Sequence, residues 1–212
     1  LESLGSWAGE VFVVDSGSSD RTLEIVEGFT AKLYHHPFFN YSCQRNWAQD
    51  NLPLTYDWVF HVDADERVTP GLVAGLRSFF AGNLDDAYDG ILVRRRIQFL
   101  GRPILHGGVY PTYHCRVFRH SKGRCEDREY DQHFLADGPA YKLDADLIEV
   151  TASSLGSWTA RHNRWAAMEA THLLNSGAVN RGRTVQPMLI GSPLQRRRWL
   201  RASVYERSPV FL

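Results

Sequence analysis

Three acidic residues in a run of four, Asp63-Ala64-Asp65-Glu66, follow an apolar stretch (57–62) whose pattern predicts a buried strand. Because residues i and i+2 of an extended segment point to the same side, we expect Asp63 and Asp65 to present two carboxylates together. Two hard oxygen ligands suit Mg²⁺ or Mn²⁺ carrying a diphosphate, with the other metal positions left to phosphate oxygens and water. The alternative is a solvated acidic turn before the next helix, and both interpretations stay open.

A second polar segment, Asp15-Ser16-Gly17-Ser18, follows the apolar residues 10–14. A carboxylate and hydroxyls at a strand end, with Gly17 permitting a tight turn, can hold the base or ribose edge of a nucleoside. The simpler alternative is a capped loop between a strand and a helix, and the segment alone favours that alternative. The sequence contains no GxSxG elbow, GxGxxG fingerprint or GKS/GKT phosphate loop.

The elements that must position these residues alternate between strands and helices over the first hundred residues. Hydrophobic periodicity and turn residues predict strands at 10–15, 31–35, 57–62 and 89–99, and helices at 20–27, 41–51 and 69–80. A Gly/Pro/His-rich loop follows residue 101, and then a strand at 113–119, a helix at 157–174 and a basic amphipathic segment from Leu194. Such alternation predicts an α/β fold with a mainly parallel sheet and a site at the carboxyl ends of its strands.

Composition narrows the class of protein. The 212 residues carry 24 Lys+Arg against 24 Asp+Glu, which disfavours a basic nucleic-acid binder. From Asn175 onward there are seven arginines and one acid, so the first part of the chain is acidic and the tail basic. The uncharged stretch 184–195 has twelve residues and two prolines, too few for a membrane span. The three cysteines lack CxxC spacing, which predicts reduced thiols, and His106, His114, Cys115 and Cys125 lack the spacing of a zinc site.

Taken together, these motifs resemble glycosyltransferase family 2. VVDSGSSDRTLEI resembles its first nucleotide-contacting strand, turn and helix, Gln44-Arg45-Asn46 its Arg-Asn element, and WVFHVDADERVTP its metal-binding strand. The stretch 99–119 is similar to the lipopolysaccharide-core glucosyltransferase branch, and the resemblance spans 2–174. It implies a GT-A fold, a three-layer α/β/α arrangement whose first strand, with an Asn-Glu pair, would precede Leu1. Ser16 stands where many members carry a second Asp, which leaves the nucleotide base open.

The resemblance also implies roles for individual residues. Asp65, with Asp63 near the ribose or the metal, would hold Mg²⁺ or Mn²⁺. The nucleotide contacts would come from Asp15, Ser16, Gly17, Ser18, Arg45, Asn46 and Asp63.

An inverting transferase of this kind needs a general base for the acceptor hydroxyl. Glu126-Asp127 resembles the family's Glu-Asp base motif, which makes Asp127 the first candidate. In the lipopolysaccharide branch a His-Glu pair lies slightly later, nearest Asp131-Gln132, so Asp131 is its rival. The alternative for this segment is a solvated, self-compensating charged turn.

Two Arg-Trp pairs follow. Arg164-Trp165 is similar in position to the Gln-x-x-Arg-Trp motif of processive members, although Arg161 replaces Gln, and we expect it to contact the leaving diphosphate or the acceptor. Gln195-Arg196-Arg197-Arg198-Trp199 spells the motif literally but falls too late in the sequence. We interpret it instead as a basic surface for anionic lipid headgroups, the alternative being an ordinary soluble basic helix.

The sequence therefore predicts a glycosyltransferase domain (1–174) and a basic, helical C-terminal extension (175–212). We expect inverting transfer of a sugar from a nucleotide-diphosphate donor to a lipid-linked or saccharide acceptor in cell-envelope glycan synthesis, at the cytoplasmic face of the membrane and without nucleic-acid binding. The alternatives are a non-catalytic sugar-nucleotide-binding or membrane-scaffolding domain, and a glycoside hydrolase. The hydrolase is disfavoured because it needs one carboxylic acid held protonated in an apolar pocket.

Overall fold

Helices form where the sequence supplies caps and apolar periodicity. A computed structural model describes residues 1–5, 7–128, 131–152, 154–175, 184–191 and 193–205. Asn40 and Thr69 cap two helices by accepting hydrogen bonds from the amides of Cys43 (2.7 Å) and Leu72 (3.1 Å), which confirms the predicted Thr-Pro helix start. The helices are α1 (Thr22–Glu27), α2 (Tyr41–Asn51), α3 (Pro70–Ala81), α4 (Leu155–Asn175) and α5 (Pro193–Leu200), followed by a π-helical turn (Arg201–Tyr205).

Within the described residues, ten strands are distributed over three sheets. They are β1 (Phe12–Asp15), β2 (Lys32–His35), β3 (Trp58–Phe60), β4 (Glu66–Val68), β5 (Gly90–Phe99), β6 (Arg102–Pro103), β7 (Thr112–Arg119), β8 (Gly123–Cys125), β9 (Phe134–Ala136) and β10 (Ala140–Ala152). β1 and β2 form a parallel pair, and β8 and β9 an antiparallel pair. The central sheet has the order β3-β7-β5-β10-β4, and β6 pairs with the C-terminal end of β5.

The expectation of a mainly parallel sheet is wrong. In the described part of the central sheet β5 and β10 are parallel, whereas β3–β7, β5–β7, β5–β6 and β10–β4 are antiparallel. The crossover through α3 does bring β5 parallel to β3, as the alternation of elements predicts. However, β7 returns after the Gly/Pro-rich loop and inserts between these two strands in the opposite direction.

The core lies between α3 and the central sheet. Leu72, Leu76 and Phe79 of α3 pack on buried strand residues, namely Val68, Ile91, Val93, Val117, Ala145 and Leu147. A smaller cluster on β7, β8 and β9 joins Cys115, Phe118, Cys125 and Phe134. All three cysteines are free thiols, and burial raises the pKa of Cys115 to about 12.

An irregularity in β7 directs a charged residue toward the acidic segment. Ile91 pairs with Val117 and Leu92 with Cys115, so Arg116 is the extra residue of a β-bulge. Cys115 and Val117 would share a face of a regular strand, but they belong to different apolar clusters here. The bulge thus allows Arg116 to reach the carboxylates of Asp63 and Glu66.

The predicted boundary at 174/175 falls at the end of α4, and the domain division stays a prediction. Arg181, Arg183, Glu206, Arg207 and residues 208–212 of the predicted tail lie outside the described residues. Within the described ranges, no helix combines the length and apolar character that a membrane span requires.

Candidate active site

The acidic segment after β3 is a turn. The amide of Glu66 donates to the carbonyl of Asp63 at 2.9 Å, and the amide of Asp63 donates to Oε2 of Glu66 at 2.8 Å. The expected extended geometry of Asp63 and Asp65 is therefore wrong, because the chain must reverse here to start β4. The two carboxylates lie in different environments as a result.

Asp63 is compensated by two arginines. Nη2 of Arg45 lies 2.9 and 3.0 Å from its two carboxylate oxygens, and Nη2 of Arg116 lies 3.2 Å from Oδ2. Burial would raise the pKa of Asp63, but the charges of Arg116 and Arg45 outweigh it and hold the pKa well below its usual range. Asp63 is thus ionised and already paired within the chain.

Glu66 is the buried member of the acidic segment. Its side chain is 1% exposed and forms an ion pair with Arg116. Burial raises its pKa to about 7, with Asp63 adding repulsion, against the opposing attraction of Arg116. Glu66 therefore orders the turn and is enclosed by protein groups.

Asp65 is the accessible carboxylate of the segment. Its side chain is 43% exposed, and Oδ2 lies 3.4 Å from Nη1 of Arg161 on α4. Partial burial raises its pKa, and repulsion from Glu149 and Asp63 adds to this effect against the attraction of Arg161. A divalent cation would favour the ionised form of Asp65.

The donor set fits such a cation in part. Within the residues that the structure describes, His, Cys, Asp and Glu form no group of three able to hold a metal ion by themselves. Mg²⁺ commonly uses one or two carboxylates together with substrate phosphates and water. Asp65 meets this requirement, whereas Asp63 would first have to be released from Arg45 and Arg116.

The Asp15 loop is organised by its own carboxylate. Asp15 is 5% exposed and accepts hydrogen bonds from the amides of Gly17 (2.8 Å) and Ser18 (3.1 Å) and from the Ser18 hydroxyl. These bonds, led by the Ser18 hydroxyl, lower its pKa. Gly17 has φ of 95°, as the predicted tight turn requires. Ser16 is exposed and its Oγ accepts from Nε2 of Gln44 at 2.9 Å, so the loop is fixed to α2.

All three side chains of the Gln44-Arg45-Asn46 element form hydrogen bonds with other groups of the protein. Gln44 contacts Ser16, Arg45 contacts Asp63, and the amide group of Asn46 exchanges two 3.1 Å hydrogen bonds with the backbone of Cys125. Asn46 thereby joins α2 to β8, next to the candidate base turn. Its amide donor and acceptor are both engaged before any ligand binds.

The two candidate bases, Asp127 and Asp131, differ in their partners. Asp127 is exposed, and no side chain of the described residues pairs with its carboxylate. Asp131 has φ of 54° and accepts from Nη2 of Arg197 at 3.2 and 3.3 Å. The charge of Asp131 is therefore shared with α5, whereas that of Asp127 is available to an acceptor.

Glu126, beside Asp127, is 0% exposed. It accepts from Nη1 and Nη2 of Arg198 at 2.6 and 2.9 Å and from the amides of Val185 (2.6 Å) and His133 (2.9 Å). Burial would raise its pKa, but His133, Arg198 and Val185 together lower it to about 2. Glu126 is an ionised anchor of the turn.

The contact between Arg198 and Glu126 bears on two interpretations of the Gln195–Trp199 segment: that it lies too late in the sequence to join the site, and that it faces lipid. Arg198 of the literal motif is 8% exposed and lies at the base turn, so lateness in the sequence did not remove it from the site. Arg197 and Arg201 pair with Asp131 and Glu169, which leaves Arg196 as the exposed arginine of α5 without a described pairing. Arg198 of the predicted lipid-facing cluster is thus turned to the protein, whereas the Arg197 side chain is 65% exposed.

The Arg164-Trp165 pair lies on α4 near a cavity of about 220 Å³ beside Asp65. Trp165 lines this cavity, whereas Arg164 is exposed and Arg161 is the arginine that reaches Asp65. Most of the remaining lining is apolar or aromatic, and Arg95 and Glu149 form a charged end. The other lining residues are Ile97, Phe99, Ile104, Val109, Thr151, Trp158 and His162. Trp158 stacks on His162 with ring centroids 3.8 Å apart.

Sequence reasoning missed Arg116, Glu149, Arg161 and Arg198 as members of the site. Arg116 and Glu149 come from β7 and β10, and pairing between distant strands has no local sequence signal. The signal for Arg161 was present, since the helix period places it one turn before Trp165. Partly buried His61 was also missed; desolvation, Arg45 and Arg116 lower its pKa to about 3, so it is neutral.

Comparison with known proteins shows what this chain is similar to in sequence. The family model described as "Glycosyl transferase family 2" matches residues 5–129. The chain is 25% identical over 184 residues to the lipopolysaccharide core biosynthesis glycosyltransferase LpsC of Rhizobium meliloti, which covers 84% of this chain and 66% of LpsC. It is 34% identical over 88 residues to an uncharacterized glycosyltransferase of Rickettsia bellii (42% of this chain, 29% of that protein). An uncharacterized glycosyltransferase of Rickettsia typhi, RT0209, is 30% identical over 101 residues (48% and 34%).

The matched segments span about two thirds of LpsC and about one third of the rickettsial proteins. The family match covers more than half of this chain, including the Asp15 loop, the acidic turn and Asp127. The chain therefore belongs to glycosyltransferase family 2.

Proposed function

We propose that this chain forms the donor-binding and catalytic part of an inverting glycosyltransferase that acts in lipopolysaccharide or related cell-envelope glycan synthesis. Membership of the family implies the GT-A α/β fold, and the name of LpsC supports the pathway. The observation that carries the proposal is Asp65, an accessible carboxylate 3.4 Å from Arg161 beside an aromatic cavity.

In this proposal Asp65 would hold Mg²⁺ or Mn²⁺. Bound there, the cation would neutralise charge that develops on the leaving diphosphate. Arg161, 3.4 Å from Asp65, supplies a donor for a phosphate oxygen and takes the role predicted for Arg164. The Asp15 loop and its attachment to Gln44 offer a preformed edge for the nucleoside.

Asp127 is the proposed general base. It would take the proton of the acceptor hydroxyl while that oxygen bonds to the anomeric carbon and the bond to the diphosphate breaks on the opposite face. Asp127 is preferred to Asp131 because the carboxylate of Asp131 already accepts hydrogen bonds from Arg197.

The cavity lined by Trp158 and Trp165 is the proposed place for a sugar ring of the acceptor. Aromatic faces suit the apolar C–H face of a sugar, and the Arg95–Glu149 pair at one end can hydrogen-bond to hydroxyls. We also propose peripheral attachment to an anionic membrane, through exposed apolar residues (Phe38, Phe39, Met188, Leu189, Ile190) and Arg196.

The decisive experiment is a panel of nucleotide-linked hexoses, assayed for release of nucleoside diphosphate with lipopolysaccharide-core acceptors, with and without divalent metal. The proposal expects metal-dependent turnover and a product of inverted anomeric configuration. Tight, metal-independent nucleotide binding without turnover would instead favour the non-catalytic sugar-nucleotide-binding domain, for which the pairing of Asp63 with Arg45 and Arg116 is the supporting observation.

A further inference from the structure

One guanidinium group contacts both ends of the turn that carries Asp127. Arg198 donates to the carboxylate of Glu126 at 2.6 and 2.9 Å and to the carbonyl oxygen of Asp131 at 3.2 Å. Glu126 and Asp131 flank Asp127 on either side. Arg198 therefore fixes the separation of the two ends of this turn.

The same group brings a second segment of the tail to the turn. Nη1 of Arg198 donates to the carbonyl of Val185 at 3.2 Å, and the amide of Val185 donates to Glu126 at 2.6 Å. Arg201 on the following turn pairs with Glu169 of α4. The described tail is thus attached at both the base turn and α4.

Burial makes this attachment specific. Glu126 is 0% exposed and Arg198 is 8% exposed, so neither charge has water as a ready substitute partner. A planar guanidinium can contact both carboxylate oxygens and a carbonyl at once, which an ammonium group cannot do in the same geometry.

We propose that Arg198 is a positioning residue that holds the Glu126–Asp131 turn, and with it Asp127, in the geometry needed for proton transfer. The proposal rests on the proposed function for its catalytic consequence, although the hold on the turn is independent of activity. It gives the buried side of α5 a role in the chemistry of the domain, separate from the lipid contact proposed for Arg196. Misplacement of a reacting group by about 1 Å can lower turnover about 100-fold.

The test compares Arg198→Met and Arg198→Lys with Arg77→Met, a matched control at an exposed arginine on α3. Hydrogen exchange of residues 124–128 and 131–134 reports the turn, and exchange of α3 reports the core. Affinity for UDP in the presence of Mg²⁺ reports donor binding. Turnover is measured with the nucleotide sugar on which the wild-type protein acts in the panel.

We expect Arg198→Met to increase exchange in the turn while α3 stays protected, and to lower kcat about 10- to 100-fold with the KM for the donor and the affinity for UDP unchanged. Arg198→Lys should retain part of the kcat, and Arg77→Met should match the wild type. Wild-type exchange in the turn and wild-type kcat in Arg198→Met would overturn the proposal.

If Arg198→Met also exposes α3, Arg198→Lys decides: a loosened turn with a reduced kcat supports the positioning role, and wild-type values contradict it. Unchanged kcat despite a loosened turn would likewise overturn the catalytic part. If the wild-type protein shows no turnover in the whole panel, the proposed function fails, while the exchange data still test whether Arg198 holds the turn.

Discussion

Arg45 and Asp63 form the central ion pair of the site, with Nη2 of Arg45 at 2.9 and 3.0 Å from the two carboxylate oxygens. The pair joins α2 to the turn between β3 and β4, and Arg116 from β7 contacts the same carboxylate at 3.2 Å. Three elements that are distant in sequence therefore meet at one side chain. This arrangement separates the structural carboxylate, Asp63, from the accessible one, Asp65.

The first prediction follows from that separation. Asp65→Ala should abolish metal-dependent binding of UDP with little change in the free energy of unfolding, because the side chain is 43% exposed and contacts Arg161 at 3.4 Å. Asp63→Ala should lower stability by about 1–3 kcal/mol, because it leaves donors of Arg45 and Arg116 without an acceptor. Calorimetric titration with and without EDTA, together with urea denaturation, measures both effects. Equal UDP affinity of the wild type in EDTA and in Mg²⁺ would rule out the metal role.

The second prediction separates the two candidate bases. Asp127→Asn should lower turnover about 10²- to 10⁴-fold with donor affinity retained, as is typical for the loss of a general base. Asp131→Asn should have a smaller effect, because its carboxylate is already shared with Arg197. Steady-state kinetics with the acceptor varied provides the measurement. Near wild-type turnover in both variants would contradict the assignment of the base to this turn.

Much of the fold was predictable from local signals. The α2 helix has the predicted bounds, and Thr69 caps α3 as its sequence indicates, because caps and apolar periodicity act over a few residues. The direction of β7 was not predictable in this way. Its insertion between β3 and β5 depends on the loop that precedes it and on burial of Val117 and Phe118 on opposite faces.

The candidate site was predictable in part for the same reason. Asp15, Asp65 and Asp127 each lie in a motif made of residues that are neighbours in the sequence. The contact between Arg198 and Glu126 joins residues 72 positions apart, and a run of arginines resembles a solvated surface until its partners are known. The bulge that directs Arg116 toward Asp63 likewise depends on pairing with β5.

The third prediction concerns acid stability. Glu126 has a pKa of about 2 in the folded chain, below its ordinary value of 4.5, so the folded state binds fewer protons than the unfolded state between these values. Its contribution to stability, about 3 kcal/mol for such a shift, is present above pH 4.5 and is lost as the pH falls toward 2. Urea denaturation of the wild type and of Glu126→Gln from pH 6 to about pH 2.5 tests this. The variant should be less stable at pH 6, and the difference should shrink with acidification. A difference that is constant with pH would contradict the assignment.

The fourth prediction concerns the cavity beside Asp65. Trp165→Ala and Trp158→Ala should raise the KM for a saccharide acceptor about 10-fold, since loss of one aromatic contact removes roughly 0.5–1.5 kcal/mol beyond area burial. The affinity for UDP should be unchanged. Arg164→Ala is the matched control, because Arg164 is exposed on the same helix and does not line the cavity. An unchanged acceptor KM in both tryptophan variants would place the acceptor elsewhere.

The last prediction concerns the membrane. Arg198 of the predicted lipid surface is buried against Glu126, and the partly exposed Arg197 and Arg201 pair with Asp131 and Glu169, so part of the basic charge is compensated within the chain.

The exposed candidates are Arg196 together with apolar side chains such as Phe39 (82% exposed) and Ile190 (87% exposed). We therefore expect binding to vesicles in which Phe39→Ala and Ile190→Ala weaken attachment to anionic and zwitterionic lipid alike. Arg196→Ala should cost about 1 kcal/mol on anionic lipid only, an effect that high salt removes because the charges are screened. Co-sedimentation with both vesicle types at low and high salt distinguishes these contributions. If the wild type fails to sediment with either vesicle, the peripheral attachment proposed here is wrong, and the exposed apolar residues must then meet a protein or a soluble acceptor.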